Sequence, residues 1–202
     1  MNKHLLIIFV KNPELGKVKT RLAATIGDEA ALSIYHQLLE HTKRITQSLD
    51  VDKIVFYSGF VDDQDLWSPE KFQKAVQTGE SLGDKMSNAF KAGFENGYES
   101  ICIIGSDCYE LSEEILASAF QALSGNHETV VGPAKDGGYY LLGMNKHHRA
   151  LFENKAWSTD EVYPKTIADF ESLGLSYSVL PTLSDIDQEK DLEGTDLLVN
   201  RP

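Results

Sequence analysis

Two runs of apolar residues constrain this chain most: HLLIIFV, from His4 to Val10, and ICII, from Ile101 to Ile104. Both are far too short to cross a bilayer, and both read as fully buried strands. The first strand is expected over 3–10 and the second, SICIIGSD, over 100–107. Helical periodicity follows the first of them. Ala31, Ile34, Tyr35, Leu38, Ile45 and Leu49 recur at helical spacing, and Asp28, after Gly27, is the expected N-cap. KIVFYS, from Lys53, and FQKAVQT are the next strands, and a break at Gly79 to Gly83 precedes a helix over roughly 84–96. Ser112 is expected to cap a third helix, before the strands ETVVGPA and GYYLLGM. A helix after Ser158 and Thr159, a strand near 176–180 and an acidic helical tail complete the pattern.

Strands alternating with helices predict an α/β sandwich around a mainly parallel sheet. In such folds ligands collect outside the carboxyl ends of the strands. A chain of 202 residues without repeat or linker suits one domain over 1–202. The net charge of −12 argues against a general nucleic-acid or anionic-membrane surface, because phosphates select for basic patches. The amino-terminal apolar run is followed at once by charge, unlike a signal peptide, so a cytoplasmic protein without membrane insertion is expected. Cys102 and Cys108 are too few for a disulfide framework or a zinc cluster.

Against that acidic background, Lys11, Lys17, Lys19 and Arg21 cluster in NPELGKVKTRL at the end of the first strand. Cations beside a glycine can receive a di- or triphosphate. Val18 stands where a P-loop needs Ser or Thr, so the loop is not of that type, and a solvated turn is the plain alternative. Asp107, directly after an apolar strand, is placed to hold Mg²⁺, which takes one or two carboxylates plus phosphate oxygens. Its alternative is a helix cap. Asp136, Gly137 and Gly138 read as a tight turn or, with Tyr139 and Tyr140, as the rim of a substrate site. Asp185 and Asp187, two apart on an extended segment, face the same way and can share a metal, while Asp187 also suits a helix N-terminus. Gly79, Leu82 and Gly83 lie at a strand-to-helix junction whose amides can meet a phosphate or a base. His147 and His148 have no partner at ligand spacing, and all six histidines are read as non-catalytic.

In order, these segments resemble a bacterial family of uncharacterised glycosyltransferase-like proteins, the radical-SAM and selenodomain-associated transferase 1 type. That family is similar to the nucleotidyltransferases of molybdenum-cofactor and F420-precursor synthesis. The matching residues are Lys11, Pro13, Gly16, Lys19, Thr20, Arg21 and Leu22, then Gly79 to Gly83 and Gly105, Ser106 and Asp107. Gly132, Pro133, Asp136 to Tyr140, Trp157, Ser158, Thr159, Asp185 to Asp187, Asp191 and Leu192 complete the set. One departure stands out: the family pattern GSDCP has Tyr109 in place of its proline, which either frees the loop or adds a contact.

The resemblance implies the nucleotide-diphospho-sugar transferase fold, called GT-A, a three-layer α/β/α sandwich. It also implies a transferase that uses a nucleoside triphosphate or a nucleotide sugar, with Mg²⁺ or Mn²⁺, and an unknown small acceptor. Lys19, Arg21 and Asp107 are the expected catalytic residues, and Asp107 with Asp187 the expected metal ligands. Lys11, Pro13, Gly16, Thr20, Gly79, Leu82 and Gly83 would bind the nucleotide. Asp136 to Tyr140 with Trp157, Ser158 and Thr159 would bind the substrate. Nucleotidyl and glycosyl transfer both fit, and a homodimer is compatible with either. The reading from another class is a non-catalytic module that binds nucleotides or sugar nucleotides.

Overall fold

The computed structural model describes residues 3–197. Seven strands follow the chain as β1 (His4–Val10), β2 (Asp52–Tyr57), β3 (Gln73–Val76), β4 (Ser100–Ile104), β5 (Thr129–Pro133), β6 (Tyr139–Met144) and β7 (Tyr177–Val179). The helices are α1 (Thr20–Ile26), α2 (Asp28–Thr46), α3 (Leu82–Glu95), α4 (Glu113–Ser124) and α5 (Val162–Ser172). The strands form one sheet in the order β3-β2-β1-β4-β6-β5-β7. Only β6 runs against its neighbours, β4 and β5; the other pairings are parallel.

The period of two along β1 divides the core between the faces of the sheet. Leu6, Ile8 and Val10 pack with Tyr35 and Leu39 of α2 and with Leu116 and Phe120 of α4. Leu5 and Ile7 pack with Met86 and Phe90 of α3 and Phe170 of α5. Helices therefore cover both faces, giving the expected three-layer α/β/α sandwich. No helix among the described residues is long and apolar enough to cross a membrane.

Three local expectations need correction. The cationic stretch after β1 does not stay a loop but turns into α1, whose N-cap, Lys19, is left-handed at φ 48°. Asp28 is not the cap of α2. Gly27, at φ 88°, takes that place, and its carbonyl accepts from the Ala31 amide. A glycine tolerates the positive φ needed to join α1 to α2 without a spacer. The acidic tail is reduced, among the described residues, to one 3-10 turn at Glu189–Leu192, and 198–202 lie outside those residues. Elsewhere α3 begins two residues earlier than its periodicity indicates, because Ser81 and Asp84 cap it reciprocally. Ser112 caps α4 as read from the sequence.

The register of β1 locates the site. Its pairing with β2 continues to Val10 and Tyr57, whereas its pairing with β4 stops at Ile8 and Ile104. Beyond that point β1 and β4 part. The chain also reverses direction across the sheet there, with β2 and β3 laid down on one side and β6, β5 and β7 on the other. A crevice at such a switch point is the usual ligand position of open α/β sheets.

Phe90 is fully buried between α3 and the sheet, with the Phe152 ring 5.7 Å away. Phe90→Ala is expected to cost about 3–5 kcal/mol and to lower the melting temperature by about 10 °C, as read by calorimetry.

Candidate functional site

A cavity of about 750 Å³ opens where β1 and β4 part. Its floor is the end of each strand, Val10 and Lys11 on one side and Gly105 to Cys108 on the other. Lys19, Thr20 and Arg21 form one wall, and Asp136 with Gly138, Tyr139 and Tyr140 another. Trp157 to Asp160 form the rim, with Asp185 and Asp187 closing the carboxyl-terminal side.

Lys19 is the centre of the arrangement. Its left-handed backbone turns the side chain inward, where it is only 6 % exposed. The ammonium donates to the Ile186 carbonyl at 2.6 Å and meets Asp107 Oδ1 at 2.7 Å. A buried ammonium without such partners would pay a large desolvation cost. One cation thus ties the first loop to the loop after β4 and to the carboxyl-terminal segment. The last two are also joined directly, the Ile186 amide donating to the Asp107 carbonyl at 2.9 Å. Asp107 itself is half exposed to the cavity and caps no helix.

Arg21 lies at the mouth, 71 % exposed, and donates to Asp187 Oδ2 at 2.7 Å. Asp187 is therefore engaged by a cation, while its neighbour two residues back turns inward. Burial raises the Asp185 carboxyl to about 7, and the negative charges of Asp107 and Asp136 push the same way. The Lys19 charge and a hydrogen bond from the Cys108 thiol oppose that rise without cancelling it. Among the described residues, no three His, Cys, Asp or Glu side chains form a ready-made metal cage. Mg²⁺ held by two carboxylates and phosphate oxygens needs none.

Other residues singled out from the sequence fall into two groups. Lys11, Thr20, Leu82, Gly138, Tyr139, Tyr140, Trp157, Ser158 and Thr159 line the cavity, as do Asp107, Asp136 and Asp187. Pro13, Gly16, Gly79, Gly83 and Gly137 do not; their glycines serve geometry. Gly79 (φ 136°) makes the turn into α3, and a side chain there would strike Asp84 and Lys85. A side chain on Gly83 would strike the Trp157 indole, and one on Gly137 the Asp160 backbone. These two glycines seat the Trp157 to Asp160 rim. Tyr140 is buried with its hydroxyl donating to the Pro181 carbonyl, so it presents only part of its ring. Tyr109 takes up the added-contact alternative: its ring lies 4.7 Å from His41 and packs against the α1–α2 cluster. Sequence reasoning did not single out Asp160, Lys85, Ser58 or Gln77, which also line the cavity. They carry no motif, and only the fold brings them in.

The raised Asp185 carboxyl makes the site costly to fold. Its folded pKa, about 7, lies above the unfolded value of 3.8. The folded chain then holds the proton more tightly, and stability is fully present below 3.8 and lost as pH rises to 7. The loss across that window is about 4 kcal/mol. Asp185→Asn is expected to melt higher than the native chain at pH 8, with the difference shrinking at pH 5. Melting curves at the two pH values, without divalent cations, measure it.

Residues 41–159, more than half of the chain, match the family described as uncharacterized protein conserved in bacteria (DUF2064). No curated protein matches it. Among solved structures, one assigned as a nucleotide-diphospho-sugar transferase from Desulfovibrio desulfuricans G20 superposes with a TM-score of 0.86 at 28% identity. The match covers 97% of this chain and 90% of that one. The inositol-1-phosphate CTP transferase from T. maritima gives 0.59 at 16% identity, over 94% of this chain and 91% of that one. Glucosyl-3-phosphoglycerate synthase from Mycobacterium tuberculosis, in complex with Mn²⁺, UDP and glucosyl-3-phosphoglycerate, gives 0.53 at 13% identity. There the match covers 91% of this chain and 71% of that chain. The sandwich is thus the nucleotide-diphospho-sugar transferase fold, and the chain belongs to the bacterial DUF2064 family.

Proposed function

We propose that this protein is a metal-dependent transferase whose donor is a nucleoside triphosphate or a nucleotide sugar. The observation that carries the reading is the Lys19–Asp107 pair at the parting of β1 and β4. It sets a buried cation beside a half-exposed carboxylate in a cavity large enough for a nucleotide. The structures that share the fold include a CTP transferase and a synthase complexed with UDP and Mn²⁺, which supports the same donor class.

Asp107 and Asp185 are the carboxylates that would hold Mg²⁺ or Mn²⁺. Asp185 is preferred to Asp187 in that role because it feels the Asp107 charge, whereas Asp187 is paired with Arg21. When bound, the cation neutralises charge on the donor phosphates and on the departing phosphate group. Lys19 offsets negative charge from its wall, and Arg21 can exchange Asp187 for a phosphate oxygen at the mouth. Lys11, at the floor, adds a third cation to the same side of the cavity. The opposite wall, Asp136 to Tyr140 with Trp157 to Thr159, holds the transferred group or the acceptor. Leu82, on the β3 side, meets the nucleoside. Both nucleotidyl and glycosyl transfer release an anionic phosphate from this position, so both use the same residues.

A thermal-shift panel of nucleoside triphosphates and nucleotide sugars, with and without Mg²⁺ or Mn²⁺, tests the proposal. A true ligand at a hundred times its dissociation constant should stabilise the chain by about 2.7 kcal/mol. Asp107→Asn should abolish the metal-dependent part of that shift, and Lys19→Ala should weaken binding at least tenfold. Equal shifts with and without metal, unchanged by Asp107→Asn, would mean that the site only binds nucleotides. No shift with any member of the panel would sink the donor assignment.

A further inference from the structure

The strands that carry the two halves of the site have lost their mutual ladder where the chemistry begins. The last β1–β4 partners are Ile8 and Ile104. Lys11 and Ser106, just beyond on each strand, are bridged by a side chain from neither. Tyr35 of α2 is 2 % exposed, and its hydroxyl lies in the fork between the strands. The Lys11 amide donates to it at 2.8 Å, and it donates to the Lys11 carbonyl at 3.1 Å. The Ser106 hydroxyl is 3.3 Å away and can donate to the remaining lone pair. One hydroxyl, with one proton and two lone pairs, is then fully used. It spans the crevice where backbone hydrogen bonds have ceased.

We infer that Tyr35 is a positioning residue: its hydroxyl sets the width of the crevice, and through Lys11 and Ser106 the placement of Lys19 relative to Asp107. This rests on the nucleotide-and-metal reading above. The loops it joins are otherwise coupled by groups that ligand binding would engage. The Lys19–Asp107 ion pair crosses the crevice, but on the proposed reading both members would turn to phosphate or metal. On the far side the loop is held to β2, not to β4. The Asn12 amide donates to Ser58, and the Asn12 side chain accepts from the Gly59 amide and donates to the Phe60 carbonyl. Tyr35 therefore keeps the spacing while Lys19 and Asp107 turn to ligand. Burial pushes its phenol further up from its ordinary range, so the hydroxyl stays protonated and its hydrogen-bond pattern stays constant with pH.

The role separates from packing by a ratio. In the native chain, Mn²⁺ on the carboxylates and phosphates on the cationic loop reinforce each other, so Mn²⁺ tightens nucleoside triphosphate binding. Tyr35→Phe keeps the ring and frees the spacing. It should reduce that Mn²⁺ enhancement about tenfold while metal-free nucleotide affinity changes less than twofold. Ser106→Ala, which leaves Lys11 held by Tyr35, should produce a smaller loss, and the double variant should lose no more than Tyr35→Phe alone. Isothermal titration of the four ribonucleoside triphosphates and of UDP-, GDP-, ADP- and CDP-sugars, with and without Mn²⁺, supplies all the values. If Tyr35→Phe lowers the melting temperature but keeps the native enhancement ratio, the tyrosine only packs and the inference is overturned. If the native chain itself shows no Mn²⁺ enhancement, the underlying reading fails instead. Should Tyr35→Phe not fold, Ser106→Ala with an unchanged ratio overturns the coupling by itself.

Discussion

The parting of β1 from β4 beyond Ile8 and Ile104 is the constraint on which the site depends. β2 continues to hold β1 to its last residue, so the gap opens on one side only. A gap between central strands exposes backbone groups and removes the neighbours that would pack there. The chain fills it with polar bridges instead of side-chain bulk. Lys19 reaches across to Asp107 and Ile186, Tyr35 links Lys11 to Ser106, and the Ile186 amide meets the Asp107 carbonyl. Each bridge satisfies a buried polar group that would otherwise be costly. Together they make a rigid frame around an open volume.

That frame is charged on purpose and at some expense. Asp107 and Asp136 both oppose the charge of Asp185, and Lys19 meets only part of that opposition. A carboxyl raised to about 7 marks a place where the folded chain tolerates a cost that a cation could remove. Lys19 adds a backbone at φ 48°, which a non-glycine residue rarely adopts. Unfavourable backbone and unfavourable charge thus coincide at one loop. The stable parts lie elsewhere, in the two apolar clusters on the faces of the sheet and in the third between α1 and α2. Stability and chemistry are divided between the middle of the sheet and its carboxyl edge.

Much of this could be read from the residues. The apolar runs that follow His4 and Ser100 announce themselves because burial on both faces leaves little room for polar positions. The helical period from Ala31 onward is equally plain. The loops after β1 and β4 were legible because charge and glycine stand out at strand ends. Three things were not. α1 was hidden because its seven residues give too short a period, and its start depends on an unusual Lys19 backbone. Asp185 and Asp187 share a face by spacing, but their different partners depend on Arg21 and Asp107, distant in sequence. Tyr35 looked like one more core position on α2; its hydroxyl gains meaning only where strands from two other segments separate. The glycines at 83 and 137 are also instructive. Sequence suggested contact with ligand, whereas their missing side chains make room for Trp157 and for the backbone of Asp160.

The central claim is that one cation, Lys19, and a metal held by Asp107 and Asp185 grip the same phosphates. The most direct measurement is a crystal structure of the full chain with a nucleoside triphosphate and Mn²⁺, the metal located by its anomalous scattering. The account predicts Mn²⁺ between the Asp107 and Asp185 carboxylates, with a phosphate oxygen completing its shell and Lys19 within hydrogen-bond distance of the same phosphate chain. Manganese bound elsewhere, or a nucleotide seated away from the β1–β4 crevice, would contradict it.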